Sequence, residues 1–161
     1  MLAVSFILNY KMKTHDHKDE VIVRAMESSG QRLTRQKMEV FHYMQEHGMR
    51  HPTAEDVYFG VKSALPSISL GTVYNCLEAL VACKLLNRLT IAGATTHRYE
   101  MLSREHHHFR CVACGKILDV PASIPASKVL PDRHDFEVTE FHLQLSGYCS
   151  DCREKKHAPL E

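Results

Sequence analysis

Two Cys-x-x-Cys pairs, Cys111-Val-Ala-Cys114 and Cys149-Ser-Asp-Cys152, carry the clearest chemistry in the chain. A two-residue gap lets both sulfurs of a pair reach one ion. Gly115, directly after the first pair, permits a tight turn whose backbone N–H groups can bond thiolate. Four thiolates in a tetrahedron suit Zn2+ in a closed, structural site. Thirty-four residues separate the pairs, so a small domain is expected between them, with the metal tying its end to its beginning. A redox dithiol or unrelated thiols are the alternatives. Cys76 and Cys83 lie seven apart in an apolar helical stretch and read as small buried hydrophobes.

His106-His107-His108 stands just before the first pair. On a strand, alternate side chains share a face, so His106 and His108 point one way and His107 the other. Two imidazoles at i and i+2 can grip one ion, and Asp119 on the next strand-like run is within approach. Glu100 and His51 stand farther back in the sequence. Nitrogen and carboxylate donors without thiolate favour Fe2+ or Mn2+ over a structural zinc. A solvent-exposed histidine cluster is the alternative.

These residues need elements to hold them. The first half reads helical. Val21, Ile22, Ala25 and Met26 make a stripe over residues 17–28, and Gly30 ends it. Thr34 caps a second helix with Val40, Phe41 and Met44 inward. His51-Pro52 imposes extended backbone before Thr53, which opens a third helix. Its stripe is Ala54, Val57, Tyr58, Val61 and Leu65, stopped by Pro66. Ser69 caps a fourth helix running to about Ala82. Its apolar face is Val73, Cys76, Leu77 and Leu80, and its polar face is Gly71, Tyr74, Asn75 and Glu78. Leu85–Thr90 and Thr96–Met101 read as strands joined through Ala92-Gly93-Ala94. Helices followed by a hairpin are the pattern of a winged helix-turn-helix; a plain helical bundle is the alternative. After a polar hinge at 102–105 come strand-like runs His107–Cys111, Lys116–Val120 and Phe136–Leu145, with Pro121, Pro125 and Pro131 between. The expected fold class is α+β: a winged helix over 17–101, then a small α/β dimerisation domain over 106–161. Residues 1–16 are expected to be a disordered extension, with Met12 a candidate start.

Composition excludes several classes. Twenty Lys plus Arg against nineteen Asp plus Glu give a net charge of +1, and apolar residues make up 44%. That rules out wholesale disorder and a polycationic tail. Residues 1–90 hold 11 basic and 9 acidic side chains; residues 91–161 hold 9 and 10. Neither half is basic enough to assign nucleic acid from charge alone, so DNA affinity must come from a local patch doubled by dimerisation. MLAVSFILNY is too short to span a membrane and lacks a basic leader and cleavage site. A cytoplasmic, reducing compartment and reduced cysteines are expected.

The runs HPTAEDVY, PSISLGTVYNCLEAL, RYE, HHHFRCVACGKILDV and GYCSDC, in that order, closely resemble the ferric uptake regulator family of bacterial repressors. The resemblance covers about residues 17–155. It implies a homodimer that binds a palindromic double-stranded DNA operator and is not an enzyme. It assigns Cys111, Cys114, Cys149 and Cys152 to structural Zn2+, and His51, Glu100, His106, His108 and Asp119 to a regulatory Fe2+ or Mn2+. Because that second set draws on both domains, the ion would clamp the reading heads against the dimer core. Tyr74 and Asn75 match the exposed face of the family's recognition helix, with Arg32, Arg35 and Lys37 as candidate phosphate contacts.

Within the family, Asp119 and Asn75 resemble the peroxide-responsive branch, whereas Glu100 resembles the iron-responsive one. The peroxide branch implies oxidation of a ligand imidazole, His51 or His106, at bound Fe2+. An iron-responsive repressor is the alternative, followed by zinc- or haem-responsive members. The second sensing site of some relatives is not expected, because their histidine aligns with Phe141 and His142 is one residue out of step. Two rival classes are a non-haem iron oxygenase, for which no supporting motif or barrel is visible, and a zinc-ribbon adaptor that binds protein.

Overall fold

The computed structural model describes residues 17–102, 106–121, 128 and 143–157. The chain divides into two units: one runs through Leu89 and resumes over Thr96–Leu102, and the other takes in Thr90–Thr95 and the chain after Leu102.

In the first unit, local sequence decides where helices begin. Helix α1 (His17–Ser28) ends before Gly30, whose φ of 65° suits a residue without Cβ. Helix α2 (Arg35–His47) is capped by Thr34, which accepts from the Lys37 N–H at 3.3 Å. Helix α3 (Ala54–Val61) starts with a reciprocal box: Thr53 Oγ1 accepts from Asp56 N at 3.1 Å, and Asp56 Oδ2 accepts from Thr53 N at 2.9 Å. Helix α4 (Leu70–Ala82) is capped by Ser69, which accepts from Thr72 N at 3.1 Å. Strands β1 (Leu86–Leu89) and β2 (Arg98–Met101) form an antiparallel hairpin that pairs Asn87 with Glu100 and Arg88 with Tyr99.

The apolar stripes meet in one core. Ile22, Met26, Phe41, Met44, Val57, Val61, Val73, Leu77, Leu80 and Tyr99 are among its buried members. Each fully buried side chain of this size contributes roughly 1.5–3 kcal/mol, which is how four short helices hold together. Gly60 is placed where any Cβ would run into the Tyr43 ring, so it sets the close approach of α3 to α2.

Four expectations are corrected. Val21 is largely exposed, while Ile22 and Met26 carry the α1 stripe. Helix α3 ends at Val61, not before Pro66. Ala64 N and Leu65 N both bond Val61 O, at 3.2 and 2.9 Å, and Arg35 Nη2 takes Ala64 O at 3.3 Å, so Leu65 is buried from a turn. Both hairpin strands are shorter than expected, because the chain leaves the ladder for the turn in which Ala94 N bonds Ile91 O and Gly93 takes φ 74°. His51 is left-handed, φ 50° and ψ 59°, not extended, because its N–H closes a 3-10 turn (Gly48–Arg50) on Gly48 O at 3.0 Å.

The second unit is a three-stranded sheet, order β4-β3-β5, of β3 (His106–Cys111), β4 (Ile117–Pro121) and β5 (Gln144–Gly147). Strand β3 is antiparallel to β4 and parallel to β5. Arg110 donates to Ala92 O at 3.2 Å and Gly93 O at 3.0 Å, and Gln144 Oε1 accepts from Ala92 N at 3.1 Å, which anchors Thr90–Thr95 in this unit. A terminal helix α5 (Ser150–His157) follows, which the sequence reading did not anticipate. The expected extension 1–16, hinge residues 103–105, Pro125, Pro131, Phe136–His142 and the second sensing site at Phe141 and His142 lie outside the described residues.

Candidate metal centres and DNA-reading helix

The sulfur site is built by two chain reversals. After β3, Gly115 adopts φ 74°, so that Cys111 N reaches Lys116 O and Gly115 N reaches Cys111 O, each at 2.9 Å. Strand β5 runs beside β3, and Val112 N bonds Gly147 O at 2.8 Å, which brings the second pair level with the first. All four Sγ atoms lie within 4.8 Å of one another. Cys114 Sγ and Cys149 Sγ are 3.8 Å apart; Zn–S bonds of about 2.3 Å give tetrahedral edges of about 3.8 Å. Backbone N–H groups, first that of Cys149, hold the Cys111 thiol down at about 6, well below its ordinary 9.0. The Cys152 thiol is pushed up to about 12, chiefly because the sulfurs of Cys114 and Cys149 accept its proton. A site that already favours one thiolate and shares the remaining protons among sulfurs fits Zn2+. Convergence of all four sulfurs, not of either pair alone, favours the ion over a dithiol.

In the first unit, His51 and Glu100 face each other. His51 Nε2 and Glu100 Oε2 are 3.3 Å apart, with the side chains 1% and 6% exposed. The left-handed backbone at His51 is sparsely populated for a residue with Cβ and costs of order 1–3 kcal/mol. It is held by Arg98 Nη1, which donates to His51 O at 2.9 Å, and by Tyr99 N, which bonds Pro52 O at 2.9 Å. Asn87, which the sequence reading did not single out, donates from Nδ2 to Glu100 Oε1 at 3.1 Å.

In the second unit, strand alternation behaves as expected: His107 is buried on one face while His106 and His108 share the other. His106 Nε2 and His108 Nε2 are 3.1 Å apart, and His106 Nε2 is 3.8 Å from Asp119 Oδ1. Asp119 is the register partner of His108. Adjacent ligands at about 2.1 Å from an octahedral ion lie about 3 Å apart, so each unit presents a donor set at ligand spacing. These sets hold imidazole and carboxylate only, which fits Fe2+ or Mn2+.

Residues 28–146 match the sequence profile of the Ferric uptake regulator family. The chain belongs to the ferric uptake regulator family. Similar proteins include the peroxide-responsive repressor PerR of Staphylococcus epidermidis, 28% identical over 151 residues that cover 92% of this chain and 99% of the relative. PerR of Staphylococcus aureus strain USA300 is 27% identical over 150 residues, 92% of this chain and all of the relative. The fold is shared with the Vibrio cholerae ferric uptake regulator (TM-score 0.66, 22% identity, 78% of this chain and 98% of that one). It is shared also with the Helicobacter pylori regulator (TM-score 0.70, 19% identity, 88% and 97%).

As a member of the ferric uptake regulator family, this chain is a metal-responsive transcription repressor of a family that binds DNA and forms dimers. No described helix is long and apolar enough to cross a membrane. Tyr74 and Asn75, the residues expected to read bases, both lie on α4. Asn75 is exposed on it. Tyr74 is half-buried and donates to Glu55 Oε1 at 3.1 Å; partial burial, then this bond, raises its pKa. Arg32 is exposed, and Arg35 is exposed beside Glu39 at 3.8 Å. The Lys37 ammonium donates to Arg32 O at 2.8 Å and Gln31 Oε1 at 3.1 Å, so it braces the loop before α2. A tie that sequence reasoning missed joins the hairpin to α4: Glu78 accepts from Tyr99 Oη at 3.0 Å and from Arg88 Nη1 at 3.2 Å. Arg88 and Tyr99 are register partners across the hairpin and so share a face, a pairing that alternation within either strand alone does not reveal.

Proposed function

We propose that this repressor senses peroxide through an Fe2+ ion held by His51, Glu100, His106, His108 and Asp119, and that it binds a palindromic operator as a cytoplasmic homodimer. The observation that carries the reading is the pair of donor sets, one per unit, each spaced for ligands of one ion and each lacking sulfur. An ion completed by both sets ties the reading heads to the dimer core and so defines the spacing of two half-sites. Asn75 would meet base edges, with Tyr74, Arg32, Arg35 and Lys37 at the backbone. Leu118, Phe109 and Leu145 form a row across β4, β3 and β5; the two leucines are 39% and 41% exposed, which suits contact with a second copy.

Fe2+ bound there supplies electrons for reduction of hydrogen peroxide next to its own ligands. His51 and His106 would each offer an imidazole to that ion; transfer of one peroxide oxygen to either ring, the other leaving as water, would remove a ligand and release the DNA. The relatives named as peroxide-responsive repressors support this branch. Glu100 favours a second reading, an iron-responsive repressor that releases DNA when iron is scarce.

Operator affinity measured with Mn2+, Fe2+ and Zn2+, each with and without peroxide, separates the two. Peroxide sensing gives irreversible release with Fe2+ alone and one added oxygen on a peptide containing His51 or His106 in mass spectrometry. Release that follows iron supply with no oxidised histidine favours the iron reading. The His108→Ala chain should remain a zinc-loaded dimer without metal-dependent DNA binding; unchanged binding would sink the clamp.

A further inference from the structure

We propose that Asn87 is a positioning residue for the Glu100 carboxylate, holding it as a one-oxygen ligand. This rests on the reading of Glu100 as a ligand. Asn87 and Glu100 are register partners in the hairpin, and directly opposed residues in an antiparallel pair have Cβ atoms about 4.5–5.5 Å apart. The Asn87 amide donates to Glu100 Oε1 at 3.1 Å, while Oε2 lies 3.3 Å from His51 Nε2. One carboxylate oxygen is therefore engaged by the amide, and the other is turned towards the imidazole with which it would share the ion. Neighbouring Arg88 points to the opposite face and bonds Glu78, so the hairpin separates the tie to α4 from the tie to the metal.

A glutamate has several rotatable bonds, and a free one can swing or chelate with both oxygens. Two-oxygen chelation belongs to larger ions with many ligands, whereas smaller ions in octahedral sites take single oxygens. The Asn87 amide thus lowers the ordering cost of binding and biases the site towards a small, octahedral ion such as Mn2+ or Fe2+. The residues behind metal ligands typically change metal affinity by roughly 10–100-fold when removed.

The test uses the full chain with its sulfur-bound zinc retained and the other ion stripped. Mn2+ affinity is read from the electron paramagnetic resonance signal of free Mn2+, and geometry from the visible spectrum of Co2+. Asn87→Ala should weaken Mn2+ by about 10–100-fold and alter the Co2+ spectrum, with zinc content and the melting temperature of the stripped protein unchanged. Asn87→Ser serves if the alanine variant folds poorly. In a Glu100→Ala background the same Asn87 change should have no further effect, because its target is gone. A silent Asn87→Ala, or an effect that persists without Glu100, overturns the proposal. If Glu100→Ala itself leaves Mn2+ affinity unchanged, the ligand reading fails instead.

Discussion

The two units hold themselves together by different means. Among the described residues, the first buries nineteen apolar residues in one cluster drawn from α1 to α4, the hairpin and the turns between them. In the second, the buried apolar residues among those described are Ile91 and Ile117, together with Cys111 and Cys149 of the sulfur site. In a unit this small, an ion that binds only the assembled ligands would add stability beyond what apolar burial provides. One chain thus pairs a unit with an apolar core and a unit whose four sulfurs converge on one point, and each is expected to fail by its own route.

Cys114→Ser should expose that difference most sharply. Structural zinc contributes roughly 10–16 kcal/mol in small zinc-dependent folds, so the second unit should lose hydrogen-exchange protection and the dimer should dissociate in sedimentation, while α1 to α4 stay protected. A folded dimer with full protection would remove zinc as the staple. Acid should act on the same unit. The folded Cys111 thiol titrates at about 6, below its ordinary 9.0. The contribution of its thiolate is therefore complete above the higher value and is lost as pH falls through the lower one. Protons compete with the ion for the thiolates, so zinc release to a chelator should increase as pH falls, with the first unit unaffected; a flat profile counts against thiolate ligation.

Phe41→Ala tests the other route. Emptying this buried site should cost about 3–5 kcal/mol, seen as lost protection in α1 to α4 with zinc content intact. Gly60→Ala is milder. Its methyl meets the Tyr43 ring, and overpacking of that kind costs about 1–3 kcal/mol, read as a lower denaturation midpoint. A neutral result would show that Tyr43 can move aside.

How much of this was legible depended on the range of the interaction. Thr34, Thr53 and Ser69 cap helices through bonds spanning three residues, so a short window contains donor and acceptor together. The alternation that turns His107 inward and His106 and His108 outward is likewise local to one strand. Helix α3 stopped short in a turn where Ala64 N and Leu65 N both bond Val61 O, a tightening that the apolar spacing through Leu65 does not reveal. His51 turned left-handed under contacts with Arg98 and Gly48, of which only the second is near in sequence. The brace from Lys37 to Arg32 O and Gln31 Oε1 spans no more than six residues, but a flexible lysine has many local acceptors and the sequence does not choose among them.

Residue type and spacing alone determined the helix starts, the two sulfur pairs and the face of the histidine strand, because caps, tight turns and strand period act over a few residues. Only tertiary structure decided that Asn87 meets Glu100, that Glu78 ties α4 to the hairpin, and that the Cys149 N–H bonds the Cys111 sulfur. Those partners are set by strand register and by which elements pack together, and neither is written within any single stretch of sequence.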